Sequence, residues 1–242
     1  MIKKNNIFKV DTKIKLKSKS WSFDSSLAKE FDNHINKSVP LYKDLHWLCL
    51  QVSDYFVRED STVYDLGCST GKLLNRLSIR HHHKKKTKFI GLDIINKMIQ
   101  HAKKNNKRKN INFLKRDLIK TKFKKNDFVI SFFTIQFIEQ KNRQKLINKI
   151  FKSLNWGGAF FFAEKIRSSG ARNQEMTNEI YKNWKLDQGF SLSEVNFKTE
   201  SLKGVLDPFT HSGNVAMLKR AGFDEINIIS KYLNFEIFLA IK

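Results

Sequence analysis

The 242-residue chain contains only two prolines and two cysteines. With so little proline and a hydrophobic content of 40%, its composition differs from that of disordered proteins, so we expect an ordered globule. Cys49 and Cys68 are too few for a disulfide framework, which is typical of the reducing cytoplasm. No apolar run approaches the roughly 20 residues that span a bilayer. Residues 1–20 are lysine-rich and lack the apolar core of a secretory signal. We therefore predict a cytoplasmic protein without a membrane association, with a basic N-terminal arm over residues 1–20.

Acidic residues are also scarce, because 23 Asp and Glu accompany 46 Lys and Arg and leave a net charge of +23. Such a charge attracts phosphate backbones in a salt-dependent way, so direct binding to nucleic acid is one interpretation. The lysines are spread over several segments, however, and no row of aromatic residues for stacking bases lies beside them. The chain is also rich in Asn, Ile and Phe, as expected from an AT-biased coding sequence. We do not favour nucleic-acid binding as the function.

The most informative stretch is Val63-Tyr64-Asp65-Leu66-Gly67-Cys68-Ser69-Thr70-Gly71. Its pattern predicts a short apolar strand and a turn with two glycines, followed by a helix. This sequence of elements opens a nucleotide-binding α/β unit, in which glycine lets the backbone approach a ligand and the first helical amides offer donors. The spacing is neither G-x-G-x-x-G nor G-x-x-x-x-G-K-[ST]. Asp65, two positions before Gly67, is instead the form found in S-adenosylmethionine (SAM) enzymes; an ordinary strand-to-helix turn is the alternative.

Strand and helix patterns alternate along the rest of the chain. Strands are predicted at residues 62–66, 88–93, 112–115, 127–133, 159–163, 226–230 and 234–241. Helices are predicted at residues 25–36, 41–57, 72–79, 96–104, 143–154, 173–186, 191–206 and 214–221. The alternation requires a mostly parallel sheet, and the very short last link requires an antiparallel hairpin. We predict one α/β, Rossmann-like domain over residues 21–242, with a mostly parallel seven-stranded sheet, a C-terminal hairpin and a helical insertion at about 166–207 that forms a lid.

Three aspartates lie at or just after the ends of predicted strands, where ligands of open α/β sheets bind: Asp65, Asp93 and Asp117. Asp93 can accept two hydrogen bonds from a ribose diol, or it caps the helix that begins near residue 96. Asp117 can receive an adenine amino group, or it caps its own turn.

The histidines form no recognisable site. Three of them, His81 to His83, are adjacent, and we interpret them as a solvated loop because they lack Cys or carboxylate partners nearby. The isolated ones are interpreted as structural: His34, His46, His101 and His211. No catalytic triad is present, so we assign no catalytic residue and predict no metal site.

Many short motifs in one order carry a resemblance that covers residues 21–242. They are Trp21-Ser22-Phe23-Asp24, Lys37-Ser38-Val39-Pro40-Leu41-Tyr42, Tyr64-Asp65-Leu66-Gly67-Cys68-Ser69, Phe133-Thr134-Ile135-Gln136-Phe137, residues 153–158, Glu164-Lys165, Gly189-Phe190-Ser191, Arg220-Ala221-Gly222-Phe223, Leu233-Asn234-Phe235 and Ala240-Ile241-Lys242. The chain resembles the carboxy-SAM synthase family, which has the class I SAM-methyltransferase fold. That family makes carboxy-SAM from SAM and prephenate, and a partner enzyme then transfers the carboxymethyl group to a tRNA wobble uridine.

The resemblance implies a homodimer with SAM as its cofactor. The cofactor contacts it implies are Tyr42, Gly67, Cys68, Ser69, Asp93, Ile94, Asp117 and Leu118. To these we add Asp65, from the strand end, and Phe132, whose ring can face a sulfonium by a cation–π contact.

Two positions depart from the family pattern and concern the substrate pocket. Phe132 replaces an asparagine, and Thr199, directly after Lys198, replaces the arginine that clamps the extra carboxylate of carboxy-SAM. Arginine binds a carboxylate through a planar fork, whereas threonine offers one hydroxyl. From the sequence we therefore predict a SAM-dependent enzyme that transfers a methyl group to an unidentified acceptor. The alternatives are a carboxy-SAM synthase in which Lys198, Lys203 or Arg167 compensates, and a basic RNA-binding protein with a structural SAM.

Overall fold

The computed structural model describes residues 27–242. The predicted basic arm and the predicted start of the first helix lie outside these residues. Within them, no helix is long and apolar enough to cross a membrane.

A single seven-stranded sheet forms the centre of the molecule. Its strands are β1 (Thr62–Leu66), β2 (Lys88–Asp93), β3 (Ile111–Lys115), β4 (Asn126–Phe132), β5 (Leu154–Lys165), β6 (Glu225–Tyr232) and β7 (Phe235–Ile241). The strand order is β3-β2-β1-β4-β5-β7-β6. The first five strands are parallel, and β7 pairs antiparallel with both β5 and β6. The predicted parallel sheet with a C-terminal hairpin is confirmed.

Eight α-helices and one short 3₁₀-helix, Ile135–Phe137, accompany this sheet in the described part of the chain. The helices are α1 (Leu27–Ser38), α2 (Tyr42–Phe56), α3 (Lys72–Arg80), α4 (Asn96–Asn105), α5 (Gln140–Ser153), α6 (Ala171–Asp187), α7 (Leu192–Ser201) and α8 (His211–Ala221). Helices α6 and α7 form the helical segment between β5 and α8. Helix α7 is shorter than the predicted 191–206; a capping box between Ser191 and Glu194 fixes its start.

Two apolar cores cover the two faces of the sheet. One contains residues of α2, α3 and α4, and the other contains residues of α5 and α8. Strand β5 contributes to both because successive side chains point to opposite faces: Phe161 belongs to the first core, whereas Phe160 and Phe162 belong to the second. All three rings are fully buried, as the apolar run on both faces of a parallel strand requires.

Strand β5 corrects one predicted boundary. The sequence pattern predicted the preceding helix to end at residue 154 and the strand to begin at residue 159. The strand instead begins at Leu154, which pairs with Asn126, and Gly157 is a local irregularity with φ of 74° whose amide donates to the carbonyl of Lys242. Glycine thus permits a distortion within the strand and does not mark its boundary.

His81 corrects a second prediction. Its side chain is buried, and its Nε2 lies 2.8 Å from the hydroxyl of Ser53. Burial lowers the pKa of His81 to about 4. This histidine is therefore a neutral core residue that joins α3 to α2 and is not part of a solvated loop.

Candidate active site

One large cavity, of about 1240 Å³, lies at the carboxyl edge of the parallel strands. The strand order places β1 between β2 and β4. The connections to β2 and to β4 therefore run to opposite sides of β1, and a crevice opens at its carboxyl end. Helices α1, α6 and α7 also line this cavity. All twelve predicted site residues lie along it: Tyr42, Asp65, Gly67, Cys68, Ser69, Asp93, Ile94, Asp117, Leu118, Phe132, Lys198 and Thr199.

The glycine turn after β1 forms the floor of the cavity. The amides of Gly67 and Cys68 donate to the carbonyl of Leu92, at 2.7 and 3.0 Å. Gly67 has a φ of 79°, and a Cβ at this position would lie 2.1 Å from the hydroxyl of Thr134. Ser69 also lies in the left-handed region, with a φ of 48°. Position 67 therefore requires glycine for two reasons, the positive dihedral angle and the close approach of the loop after β4.

Asp93 joins this turn to the end of β2. One of its carboxylate oxygens accepts from the amide of Ser69 at 3.0 Å, and the other accepts from the amide of Ile95 at 2.8 Å. The second bond stabilises the turn that leads into α4; the alternative helix-capping role is wrong, because the N-cap residue is Ile95 and no side chain of the described residues caps the helix. Asp93 also lies on the cavity wall. Burial nevertheless raises the pKa of Asp93. Ile94, beside it, is exposed toward the cavity opening.

Asp65 is the buried carboxyl group of the site. It is 4% exposed, and no donor among the described residues makes a hydrogen bond to it. Burial, followed by the charge of Asp93, raises its pKa to about 7. An anion so placed suits a ligand that brings its own positive charge, and SAM carries an ammonium and a sulfonium. The cavity therefore fits SAM on the chemistry of this group.

Asp117 also caps a turn and lines the cavity at the same time. Its carboxylate accepts from the amide of Ile119 at 2.8 Å, which is the predicted turn cap. The same residue and the buried Leu118 line the cavity beyond the end of β3.

Four aromatic rings form the wall between α2 and β4. The ring of Tyr42 lies 4.6 Å from that of His46 and 6.4 Å from that of Phe133. His46 lies 6.1 Å from Phe132. Burial lowers the pKa of His46 to about 3, so its imidazole is neutral. Sequence reasoning placed His46 among structural histidines; nothing in its sequence neighbourhood indicates that it lines the cavity.

The two residues at the altered clamp have their polar atoms engaged. The ammonium of Lys198 donates to the hydroxyl of Ser38 at 2.9 Å and lies 2.6 Å from Nε2 of His34. The hydroxyl of Thr199 donates to the carbonyl of Val195, one helical turn earlier, at 2.9 Å. The hydroxyl of Thr199 therefore donates its only proton within its own helix, and Thr199 does not replace the planar fork of an arginine.

Two further lysines of the cavity were not among the predicted site residues. Lys165 ends β5, and Lys185 lies on α6. Burial lowers the pKa of each to about 8, and the charge of Lys165 adds to the effect on Lys185. The Glu164-Lys165 motif was a sequence signal for the first, whereas Lys185 gave none.

Glu164 positions the loop at the end of β4. Its carboxylate accepts from the amides of Ile135 and Gln136, at 3.0 and 2.8 Å. The side-chain carbonyl of Gln136 in turn accepts from the amide of Lys165 at 2.8 Å. Burial raises the pKa of Glu164 to about 8. These bonds fix the 133–137 segment and Lys165 against each other. Within the described residues, no group of three or more His, Cys, Asp or Glu is arranged to hold a metal ion.

Comparison with known proteins agrees with this geometry. Residues 63–158 match a family described as a methyltransferase domain. Carboxy-S-adenosyl-L-methionine synthase of Staphylococcus epidermidis is 37% identical over 92% of this chain and 97% of its own. The protein of the same name from Campylobacter lari is 35% identical over 99% of this chain and 100% of its own.

Solved structures support the fold. A putative methyltransferase in complex with the Haloferax volcanii Trm112 activator superposes with a TM-score of 0.63 at 16% identity, over 90% of this chain and 96% of its own. Human N-acetylserotonin methyltransferase in complex with SAM gives a TM-score of 0.60 at 16% identity, over 90% of this chain and 56% of its own. With this fold, and with full-length similarity to proteins of one name, the chain belongs to the carboxy-SAM synthase family within the class I SAM-dependent methyltransferases and is a SAM-dependent transferase.

Proposed function

We propose that this protein converts SAM to carboxy-SAM, with prephenate as the source of the carboxyl group. The observation that carries the proposal is the charge distribution of the cavity. Asp65, Asp93 and Asp117 lie on the side of the strand ends, whereas six basic and only two acidic side chains line it between residues 165 and 207. The acidic side matches SAM, which is cationic, and the basic side matches prephenate, which is a dianion.

The size of the cavity supports two ligands. Pockets for single small molecules occupy about 300–1,000 Å³, and this one measures about 1240 Å³. SAM supplies an activated methyl carbon when it is bound. The residues that would hold it are the aspartates at the strand ends and the glycine turn, while Tyr42, His46, Phe132 and Phe133 form an aromatic wall that excludes water from the region in between. Positioning of this kind supplies much of the rate acceleration in a bimolecular transfer.

This proposal reverses the order that the sequence alone favours. The loss of the arginine at position 199 pointed to methyl transfer, because threonine offers a carboxylate one hydroxyl and no charge. Lys165, which belongs to the Glu164-Lys165 motif, and Lys185, which lies outside the motifs, now supply positive charge on the same side of the cavity.

Methyl transfer to an unidentified acceptor is the second candidate. The aromatic face of Phe132 beside neutral His46, together with a Thr199 hydroxyl that is already engaged, favours a ligand without an extra carboxylate. A basic RNA-binding protein with a structural SAM is the weakest reading, since its support is the net charge of +23 alone.

We further propose a cytoplasmic homodimer that works in tRNA modification. The tRNA role rests on the partner enzyme that the resemblance to the carboxy-SAM synthase family implies. The homodimer is supported by exposed aromatic residues on α2, where Trp47 is 56% and Tyr55 82% exposed.

Mass spectrometry after incubation with SAM and prephenate tests the enzymatic proposal. Formation of carboxy-SAM supports it. Unchanged SAM, or S-adenosylhomocysteine with a methylated acceptor, contradicts it.

A further inference from the structure

Two lysines meet one tyrosine ring in the part of the cavity formed by β5 and α6. The ammonium of Lys165 lies 4.9 Å from the ring centre of Tyr181, and that of Lys185 lies 4.4 Å from it. Tyr181 and Lys185 are one helical turn apart on α6, whereas Lys165 comes from the end of the sheet. The structure thus brings together two cations that are 20 residues apart in the chain.

Neither lysine has a carboxylate partner among residues 30–242. The two acidic side chains on this side of the cavity are engaged elsewhere, Glu179 with Lys182 and Asp207 with Arg167. Glu164, although adjacent to Lys165 in sequence, directs its carboxylate at the amides of the 135–136 segment. Lys185 is only 7% exposed, so water compensates little of its charge.

A tyrosine ring is a weak partner for two ammonium groups. A cation–π contact offsets part of the desolvation of one cation, but it leaves the repulsion between two cations unopposed. Burial, followed by the positive charge of Lys165, lowers the pKa of Lys185. An anion located between the two lysines would remove the repulsion and satisfy both donors.

The position of the ring is fixed independently of the lysines. The hydroxyl of Tyr181 donates to the carbonyl of Ser38, and its ring packs edge-on against Phe235 at 5.2 Å. Phe235 packs in turn against Phe133 at 5.9 Å, and Phe133 lies beside Tyr42. A continuous aromatic row therefore connects the lysines to the wall at which the predicted SAM contacts begin.

We infer that Lys165 and Lys185, held against Tyr181, form a subsite for a small-molecule carboxylate, which takes over the role of the arginine missing at position 199. The inference rests on the proposed function. Two sources carry this chemistry, the carboxyl donor prephenate and the carboxymethyl group of carboxy-SAM.

Isothermal titration calorimetry on the full-length protein tests the subsite. Carboxy-SAM, SAM, and prephenate added to protein saturated with S-adenosylhomocysteine are titrated into the wild type, Lys165→Met, Lys185→Met and Lys185→Arg. The matched control is Arg172→Met, because Arg172 lies on the same helix but is exposed and does not line the cavity. Retained SAM affinity shows that each variant is folded.

We expect each methionine variant to bind at least one of the two carboxylate ligands about 10- to 100-fold more weakly, with SAM affinity unchanged, because it removes one charge-assisted hydrogen bond. If only the affinity for carboxy-SAM falls, the lysines bind the carboxymethyl group of the product. If only the affinity for prephenate falls, they bind the carboxyl donor. Lys185→Arg should retain most of the affinity, and Arg172→Met should resemble the wild type.

Equal affinity of the wild type and both methionine variants for the two carboxylate ligands overturns the subsite. The proposed reaction is tested separately from the subsite. If the wild type binds prephenate through these lysines yet forms no carboxy-SAM, the subsite is supported and the proposed reaction is contradicted. If the wild type forms carboxy-SAM but both methionine variants bind the carboxylate ligands as the wild type does, the reaction is supported and the subsite is contradicted.

Discussion

Replacement of Asp65 by asparagine should stabilise the ligand-free protein and weaken its binding of SAM. Burial raises the pKa of Asp65 from 3.8 to about 7 in the folded protein. The difference is roughly 3 units at about 1.4 kcal/mol each, so the ionised group lowers the free energy of unfolding by up to roughly 4 kcal/mol.

The sign of the pH dependence follows from proton binding. Between pH 3.8 and about 7 the folded protein retains a proton that the unfolded chain has released. The free energy of unfolding therefore falls as the pH rises through this window and levels off above it. Roughly 2 kcal/mol of the loss falls between about pH 5 and pH 7, where urea unfolding can be followed. Asp65→Asn should remove this part of the pH dependence.

SAM should affect the two proteins differently. Its positive charge stabilises the ionised Asp65, so a fixed SAM concentration should raise the melting temperature of the wild type more than that of Asp65→Asn. We expect SAM affinity to fall about 10- to 100-fold in the variant. The matched control is Asp127→Asn, since Asp127 accepts from the amide of Thr62 at the opposite end of the strands and should leave SAM binding unchanged.

Urea unfolding at a series of pH values, with and without SAM, measures both effects. Identical pH dependence of the wild type and Asp65→Asn would refute the assignment of a raised pKa to this residue. Undiminished SAM affinity in the variant would refute its role as the anion that faces the ligand.

Three further changes have defined outcomes. The pKa values of Lys165 and Lys185 are about 8, so affinity for carboxy-SAM should fall as the pH rises through that value while affinity for SAM does not; a calorimetric pH series checks this, and a flat profile would contradict it. Thr199→Arg restores a planar fork and should raise carboxy-SAM affinity about 10-fold, measured by competition with SAM; no gain would show that position 199 does not reach the carboxylate. Gly67→Ala combines a φ of 79° with a Cβ 2.1 Å from the hydroxyl of Thr134, so it should lower the free energy of unfolding by about 1–3 kcal/mol in urea and reduce SAM binding; a stable, SAM-binding variant would contradict the tight approach of the two loops.

The order of the elements could be predicted from the sequence because strand and helix periodicities are local. Asp65, Asp93 and Asp117 could be placed at the cavity for the same reason, since each lies at or just after the end of a strand and parallel strands end at one edge of the sheet. The turn-capping role of Asp117 was also foreseen, and it coexists with a position on the cavity wall. The helix-capping alternative for Asp93 was wrong, because Ile95 is the N-cap residue of α4.

What the sequence could not supply is contact between distant segments. Lys165 and Lys185 become a pair only when α6 folds back over the end of β5. His81 is adjacent in sequence to two other histidines, and only the packing of α3 on α2 buries it beside Ser53. The early start of β5 depends on pairing with Asn126, which overrides the local signal of two glycines.

The central claim is that the two sides of the cavity bring SAM together with an anionic carboxyl donor. The most direct measurement is mass spectrometry of the nucleoside formed from SAM and prephenate labelled with ¹³C in its ring-attached carboxyl group. The account predicts carboxy-SAM that carries the label, in amounts that grow with enzyme concentration. SAM recovered unlabelled and unchanged, from protein that binds both compounds, would contradict it.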